Sequence, residues 1–478
     1  MENQKTKIIS IASIIALALT LVTATFAYFM AQTGEGKSTD IKINASTVDT
    51  LTFEAGAAIS LNLNQENFAS GKGNQSDTTF AKAMLTANNK TNTATEHYYM
   101  YLDISENTFT YTQDENTPEI LLTIKDANGN AITSITGLTH KTVTDGKGAS
   151  ISGFDITTKK EAITLFNNRE ITANPTKTEQ WNITVTFVNY NANQAGNAGK
   201  NFTAKLMIQK EKILTLAEHV ISQYTGTQGD NALYYHNSTL TNGAGDNSYR
   251  YAGASDSVNN YICLGSDVAT CPDANLFRII GVFGDQTKVI RAKSVGNKQW
   301  HTSESNTWSS SSLNAYLNGE YLTSLGTLAD KIATTTWKAG GGIWSNIVTS
   351  VPKTAYQNEV GSSASSTTVD KKIGLMYVSD YYYSASPSAW TLVGYNESDA
   401  TKDYRAAKTI NWLYLGSNEW TISRTSDITP YAFGMFSTGL VSNYGVTLSF
   451  GVRPSFNLLS SVTYASGSGT SSDPIRIN

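Results

Sequence analysis

Trp181-Asn-Ile-Thr-Val-Thr-Phe-Val188 alternates apolar and polar side chains along most of its length. A period of two is the pattern of a β-strand that buries one face, because successive side chains point to opposite sides. Tyr99–Ile104, Ile120–Ile124 and Phe202–Ile208 either alternate in the same way or run apolar over strand-like lengths. About eight or nine such strands within residues 38–212, with no helical period between them, predict an antiparallel β-sandwich.

The composition is typical of a β-protein that works outside the cell. Charged residues make up 15% of the 478 positions, whereas about 25% is usual in soluble proteins. Hydroxyl, amide and glycine residues replace them, together with 25 tyrosines. The formal net charge of −4 provides no basic surface of the kind that binds nucleic acid, so no nucleic-acid partner is predicted.

The N-terminal segment, residues 1–37, predicts export. Ile8–Ala31 contains neither a charged residue nor proline, and its length of about 24 residues is enough to cross a bilayer. Lys5 and Lys7 before it favour a cytoplasmic N-terminus and an exported body. We therefore expect a signal or transmembrane helix followed by a stalk. If the helix is retained, the protein stays at the extracellular face of the cell membrane, and cleavage near Ala27 releases it; both outcomes stay open.

The segment Ala24-Thr-Phe-Ala-Tyr-Phe29 resembles the junction that follows the leader in TasA/camelysin-type exported fibre proteins. This resemblance covers the leader alone. It implies cleavage near the alanine by a dedicated signal peptidase.

Residues 213–230 separate two segments that differ in their hydrophobic pattern. Apolar residues recur there at helical spacing, which predicts a short amphipathic connector helix and then a polar linker. The residues at this spacing are Leu214, Ala217, Ile221 and Tyr224.

Residues 231–478 differ from the first half in their aromatic content. Seven of the eight tryptophans lie there, among long stretches without clear periodicity. We expect a short strand at Phe277–Phe283 and helices at Ser310–Leu317 and Ala329–Trp337. Such a fold uses its aromatic side chains to join loops to a small sheet.

Seven short motifs follow one another in this half. They are Tyr249-Arg-Tyr-Ala-Gly253, Val258-Asn-Asn-Tyr261, Phe277-Arg-Ile-Ile-Gly-Val282, Trp308-Ser-x-x-x-Leu-Asn-x-Tyr-Leu-Asn318, Gly374-Leu-Met-Tyr-x-Ser-Asp380, Glu419-Trp-Thr-Ile-Ser423 and Gly451-Val-Arg-Pro454. The ordered set resembles the DUF6273 family of exported Firmicutes proteins. That family is similar to the C-type-lectin-like fold of formylglycine-generating enzymes and retroelement-diversified ligand binders. The resemblance implies an α+β C-type-lectin-like domain over residues 231–478, but no established chemistry.

Cys263 and Cys271 are the two cysteines of the chain. In an exported protein, a close pair indicates a disulfide that closes a small surface loop. Metal binding by the pair is the weaker alternative, because no histidine lies nearby in sequence.

The sequence predicts neither catalysis nor a bound metal or cofactor. The five histidines show no spacing that places two ligands on one helix face, and no nucleophile elbow or phosphate-binding loop is present. Formylglycine-generating enzymes use a reactive cysteine pair late in the domain, whereas Cys263 and Cys271 lie early. The calcium-binding tripeptides of true C-type lectins are also absent from the sequence.

The late segment Thr429–Phe450 is the predicted binding face. Charge is absent from Ile428 to Gly451, and small residues between the aromatic ones allow a partner close to rigid rings. The resemblance to the diversified ligand binders implies a variable binding face at the corresponding place. The alternative is that these aromatic residues pack the final strands of the fold itself. The ligand-binding candidates are Tyr431, Phe433, Met435, Phe436, Asn443, Tyr444, Tyr382 and Trp390.

Other residues of this half are predicted to be structural. Arg453 precedes a proline, and we expect a buried or half-buried clamp whose five donors satisfy several loop carbonyls. Most of the tryptophans are expected in the core. These are Trp308 and Trp420, together with Trp300, Trp337 and Trp412.

Three functions are compatible with these patterns. The leading hypothesis is a non-enzymatic, cell-surface ligand-binding or adhesion protein that displays a C-type-lectin-like domain on a β-sandwich stalk and binds an extracellular protein or glycan. The alternative is a secreted fibre or biofilm-matrix subunit, whose sandwich polymerises by strand exchange. An exported hydrolase comes third, since no nucleophile–base arrangement is visible. The sequence leaves the oligomeric state open.

Overall fold

The computed structural model describes residues 49–68, 72–88 and 93–478. It divides the chain into two compact units, Met1–Lys212 and Ile213–Asn478. The predicted N-terminal helix, most of the stalk region and the cut near Ala27 lie outside the described residues. Within the described ranges, no helix combines the length and the apolar character that crossing a membrane requires.

The described part of the first unit forms ten strands in two antiparallel sheets. The strands are β1 (Thr50–Ala55), β2 (Ile59–Asn62), β3 (Gln75–Thr86), β4 (Ala94–Asn107), β5 (Ile120–Asp126), β6 (His140–Thr144), β7 (Ser150–Asp155), β8 (Ile163–Ala173), β9 (Thr176–Phe187) and β10 (Asn201–Gln209). One sheet has the order β1-β3-β9-β5-β7-β6, and the other has the order β2-β10-β4-β8.

An apolar interior joins these two sheets. Ile183, Val185 and Phe187 of β9 are 0% exposed, and Met100 of β4 and Phe202 of β10 belong to the same cluster from the other sheet. Burial of one such side chain contributes about 1.5–3 kcal/mol to stability. The alternating pattern therefore reports the face that packs inward, and the predicted β-sandwich arrangement is confirmed for the described part of this unit.

The second unit, all of which the structure describes, combines many short strands with short helices. The strands are β11 (Leu233–Tyr235), β12 (Tyr249–Tyr251), β13 (Tyr261–Cys263), β14 (Leu276–Phe283), β15 (Gln286–Arg291), β16 (Asn297–Gln299), β17 (Thr335–Lys338), β18 (Thr368–Lys371), β19 (Ile373–Gly374), β20 (Glu419–Arg424), β21 (Tyr431–Met435), β22 (Val441–Gly445), β23 (Ser449–Gly451), β24 (Ser455–Asn457), β25 (Tyr464–Ser466) and β26 (Arg476–Ile477). The helices are α1 (Leu216–Ser222), α2 (Ser312–Tyr316), α3 (Leu322–Ser324), α4 (Trp344–Ile347), α5 (Pro352–Glu359) and α6 (Val378–Tyr383).

Two sheets organise this unit. The larger has the order β11-β12-β14-β15-β24-β19, with β13 also paired to β14, and the smaller has the order β16-β23-β20-β21-β22. Two further pairs, β17-β18 and β25-β26, lie outside these sheets. The strand pairs are antiparallel apart from β20 and β23, which meet in parallel at Glu419 and Gly451. The described chain as a whole is therefore mainly β, with several antiparallel sheets.

Helix α1 belongs to the second unit. Thr215 and Glu218 form a capping box, in which each backbone N–H donates to the other residue's side chain at 3.1 Å. Leu216, Ala217 and Val220 are buried in the core of this unit. The predicted helix is present, but it is an integral part of the second unit rather than a separate connector.

The predicted helix at Ala329–Trp337 is wrong. The chain instead makes a short 3₁₀ segment, Gly326–Lys331, and then enters the strand β17. The β-branched run Thr334–Thr336 explains the difference, since such side chains lose rotamer freedom in a helix and pack well in a sheet. The other predicted helix is present as α2.

The tryptophans of the second unit tie its loops to the sheets. Trp300, Trp412 and Trp420 are each 0% exposed. Their indole N–H groups donate to the backbone carbonyls of Thr421, Tyr251 and Lys298 at 3.0, 2.8 and 2.9 Å. The prediction of core positions is confirmed for the whole set, which comprises Trp300, Trp308, Trp337, Trp412 and Trp420.

Candidate functional site

The predicted binding face forms a hairpin at the edge of the smaller sheet. β21 pairs with β22, and β22 is the last strand in the sheet order. Cross-strand pairs share a face, and Phe433 lies opposite Asn443 while Ala432 lies opposite Tyr444. Phe433 and Asn443 are therefore on one face of the hairpin, and Tyr444 is on the other.

Four of the eight ligand-binding candidates are core residues. Phe433, Met435, Tyr382 and Trp390 are exposed by 0%, 2%, 0% and 1%. The hydroxyl of Tyr382 and the indole N–H of Trp390 both have partners inside the unit. Tyr382 Oη donates to the Ile347 carbonyl, and Trp390 Nε1 donates to the Ala385 carbonyl. These four side chains fill the interior, so the binding role predicted for them is corrected to a packing role.

The other four candidates remain accessible. Tyr431 is 37% exposed, and Phe436, Asn443 and Tyr444 are partly buried. The ring of Tyr444 lies 4.8 Å from that of Phe436 and 5.0 Å from that of Phe450, between ring centroids. A row of rings therefore reaches from the interior to the accessible end of the hairpin.

Two apolar residues beside the hairpin were missing from the prediction. Ile428 is 44% exposed and Leu448 is 47% exposed. Both lie inside the charge-free segment, so their apolar side chains in that segment were the signal that could have identified them. We call the set Ile428, Tyr431, Phe436, Asn443, Tyr444 and Leu448 the aromatic edge.

A buried amide shapes one end of the aromatic edge. Asn306 is 3% exposed, and its Nδ2 donates to the carbonyls of Thr425, Ile428 and Tyr431 at 2.9, 3.3 and 2.8 Å. The loop before β21 is therefore held from beneath by one side chain. The exposed side chains of Ile428 and Tyr431 consequently stand on a fixed backbone.

The aromatic edge carries no formal charge. The pKa of Tyr444 is raised to about 12, chiefly by burial, so its phenol stays protonated at neutral pH. A neutral phenol can both donate and accept a hydrogen bond. The surface therefore offers rings, one amide and hydroxyl groups rather than an ionic contact.

Arg453 is buried as predicted, but its main partner is a carboxylate. Arg453 Nη2 lies 2.7 Å from Glu419 Oε2, and the two side chains are each 1% exposed. The same nitrogen donates to one carbonyl, that of Leu413, at 2.6 Å. The expected clamp on several loop carbonyls is therefore corrected to an ion pair with a single carbonyl contact.

The predicted disulfide between Cys263 and Cys271 is confirmed. The loop that it closes is held by Arg476, whose guanidinium donates to the carbonyls of Ser266, Val268 and Ala269 at 2.7, 2.9 and 3.0 Å. The loop and the last residues of the chain together line a depression of about 370 Å³. The cysteines are thus joined to each other and are structural.

In the portion of the chain that the structure describes, no three histidine, cysteine or acidic side chains are close enough to hold a metal ion. The site is accordingly characterised by the aromatic edge and its supporting residues.

Neither a search against models of known protein families nor a search of curated proteins found a match for this chain.

Proposed function

We propose that this protein is a non-enzymatic, extracellular recognition protein that binds a protein or glycan ligand through the aromatic edge of its second unit. The observation that carries the proposal is the group of accessible rings and apolar side chains in a charge-free hairpin at a sheet edge. Tyrosine and phenylalanine provide large contact areas at a low entropic cost. Such residues are enriched where proteins bind partners.

The backbone of the aromatic edge supports recognition at close range. In the hairpin, Gly434 lies opposite Ser442 and Gly445 lies opposite Tyr431. A Cβ added at Gly445 would meet no atom within 4 Å. A partner can therefore approach the main chain there, beside Tyr444 on one face of the hairpin and Tyr431 on the other. Aromatic faces with nearby hydrogen-bonding groups suit both sugar rings and protein side chains.

The remaining parts of this proposal rest on the sequence. The ordered motifs that resemble the DUF6273 family support a C-type-lectin-like fold for the second unit. The apolar segment Ile8–Ala31 and the low charge content support display at the extracellular face of the cell membrane, or secretion after a cut near Ala27. In this proposal the first unit serves as a stalk and the protein acts as an adhesin.

Binding assays on glycan and extracellular-protein arrays test the proposal. The full chain should give saturable binding to at least one ligand. The double variant Tyr431→Ala/Tyr444→Ala removes one accessible ring from each face of the hairpin and should weaken binding about tenfold or more, because a few aromatic contacts dominate interface energies. Tyr235→Ala is the matched control, because Tyr235 is a partly buried tyrosine that stacks on Tyr249 in a different strand pair. Equal loss in both variants, or no saturable ligand at all, would contradict the proposal.

A fibre or matrix subunit is a second candidate. In the described part of the first unit, the six-residue strand β1 pairs only with β3 and so has one free edge. An edge strand of this kind can accept a strand from another molecule. Sedimentation of the chain lacking residues 1–37 tests this candidate: salt-dependent fibres would support it, and a monomer at all concentrations would count against it.

A further inference from the structure

A lysine and an aspartate meet in the interior of the second unit. Lys288 lies on β15 and Asp380 lies in the first turn of α6. The Nζ of Lys288 is 2.6 Å from Oδ2 of Asp380, and the two side chains are 6% and 3% exposed. A charged pair so removed from water is costly, because each ion loses its hydration.

The surroundings hold the amine in one place. Lys288 Nζ lies 4.7, 5.5 and 5.6 Å from the ring centroids of Tyr377, Trp337 and Phe283. On the other side, Asp380 Oδ2 accepts a hydrogen bond from the backbone N–H of Tyr377 at 2.8 Å. Because a C–O bond is about 1.23 Å long, the amine nitrogen is no more than about 3.8 Å from the carboxyl carbon. That separation is close to a near-attack distance.

Burial also favours the neutral form of the amine. It lowers the pKa of the Lys288 amine, an effect that the Asp380 carboxylate opposes. An amine held away from water in this way is stabilised in its neutral form, the form that carries a reactive lone pair.

Two further groups stand next to the pair. Arg250 Nη1 lies 4.0 Å from the other carboxyl oxygen, Oδ1 of Asp380. Glu359 is 2% exposed and accepts hydrogen bonds from the N–H groups of Val378 and Ser379, the residues just before Asp380. Burial raises the pKa of the Glu359 carboxyl. The site therefore holds an amine, an electrophilic carbon, a cation near one oxygen and a weakly acidic carboxyl group.

We propose that Lys288 and Asp380 form an intramolecular amide cross-link between Nζ and Cγ. The ammonium gives one proton to Oδ2, and the nitrogen lone pair then attacks Cγ, while the guanidinium of Arg250 stabilises the negative charge on Oδ1. Oδ2 takes a second proton from nitrogen and leaves as water, so the N–C bond forms and the C–O bond breaks. One proton stays on the amide nitrogen, and the step needs no oxidant or external reagent.

The first unit contains a lysine–aspartate contact that serves as an internal control. Lys141 Nζ lies 3.1 Å from Asp155 Oδ2, but the lysine side chain is 21% exposed and donates also to the Asn116 carbonyl at 3.0 Å. Water reaches this amine, so Lys141 lacks the enclosed, water-free surroundings of Lys288. No cross-link is expected there.

Peptide mass spectrometry of the full chain tests the cross-link. Trypsin should release Ile279–Arg291 joined to Ile373–Lys402, with a mass about 18 Da below the sum of the two, the mass of the released water. Fragmentation should place the bond at Lys288 and Asp380. The peptides that contain Lys141 and Asp155 should appear separately at full mass.

Two variants keep the test decisive. Lys288→Arg retains a cation next to Asp380 but lacks a primary amine, and Asp380→Ala lacks the carboxyl carbon. In both, residue 288 is open to trypsin, so residues 279–288 and 373–402 should be recovered as separate peptides. Separate peptides at full mass from the folded wild-type protein would show an ordinary ion pair and overturn the proposal, as would a loss of water that persists in Lys288→Arg or maps to another residue.

Discussion

The two units of this protein bury charge in different ways. The core of the first unit is a cluster of apolar side chains, and its Arg169–Glu179 pair lies at the margin, with side chains 33% and 15% exposed. Glu119 of this unit is 0% exposed, but it accepts hydrogen bonds from neutral groups, the backbone N–H of Thr112 and the side-chain amide of Gln194. The second unit places Arg453 and Glu419 in its interior, each 1% exposed. A regular sheet pair satisfies its own backbone groups, whereas a unit of short strands and many loops needs side chains to do so. Cohesion in the second unit therefore depends on individual polar pairings, and single substitutions test this dependence.

The largest effect is expected for Arg453→Met. The substitution leaves the Glu419 carboxylate buried without its cation, which should lower the free energy of unfolding of the second unit by about 3–5 kcal/mol. Tryptophan fluorescence during urea denaturation reports this unit, which holds seven of the eight tryptophans. The double variant Arg453→Met/Glu419→Met should recover part of the loss; an unchanged midpoint for Arg453→Met would contradict the interpretation.

Removal of the disulfide should have a smaller effect. Cys263→Ser/Cys271→Ser frees a short loop in the unfolded chain, which is expected to lower the free energy of unfolding by about 2–3 kcal/mol. The first unit has no cysteine, so its transition should not move. A shift of both transitions after the substitution would show that the units do not unfold independently.

A buried histidine should make the second unit sensitive to mild acid. His236 is 0% exposed, and burial together with the Arg250 guanidinium lowers its pKa well below its usual value, with Asp246 opposing. The imidazole of His236 thus binds a proton less readily in the folded state than in the unfolded state. The stabilising effect of the neutral ring is present above the unfolded pKa of about 6.5 and is lost as the pH falls below it.

The expected loss approaches about 1.4 kcal/mol per pH unit below that value. It is measured as the difference between the wild type and His236→Gln in denaturation experiments from about pH 7 to pH 5. Taking this difference cancels the contributions of Glu359 and Glu419. Parallel pH profiles for the two proteins would show that His236 does not contribute.

The smallest effect is expected for Arg169→Met in the first unit. Glu179 keeps the hydrogen bond from Tyr98 Oη at 2.6 Å and partial access to water, so the loss should be about 1 kcal/mol or less. The fluorescence of Trp181, whose ring lies 4.5 Å from the Arg169 guanidinium carbon, follows the transition. A loss as large as that of Arg453→Met would remove the contrast between the units.

The strands of the first unit could be predicted because their signal is local. In β9, the residues that alternate in sequence are the residues that the structure buries. The helix predicted at Ala329–Trp337 is wrong because the threonines within this segment favour a strand.

Within the candidate site, the type of a residue predicted only in part whether its side chain is buried or exposed. Phe433 and Tyr431 lie on the same face of β21, yet Phe433 is buried and Tyr431 at the strand end is 37% exposed, because the core covers one part of that face. Sequence could not reveal this, since coverage comes from elements far along the chain. For the same reason the contact of Lys288 with Asp380, which are 92 residues apart, was not foreseeable.

The disulfide loop is synthesised well before the residues that later contact it, Arg476 and Ile475. Arg476 lies 210 residues after Ser266, whose carbonyl it binds, and Ile475 bridges to Ile262 in the same region. In a chain that is synthesised from its N-terminus, both cysteines are present long before Arg476 and Ile475. Oxidation of the two cysteines can therefore fix the loop before Arg476 and Ile475 dock on it.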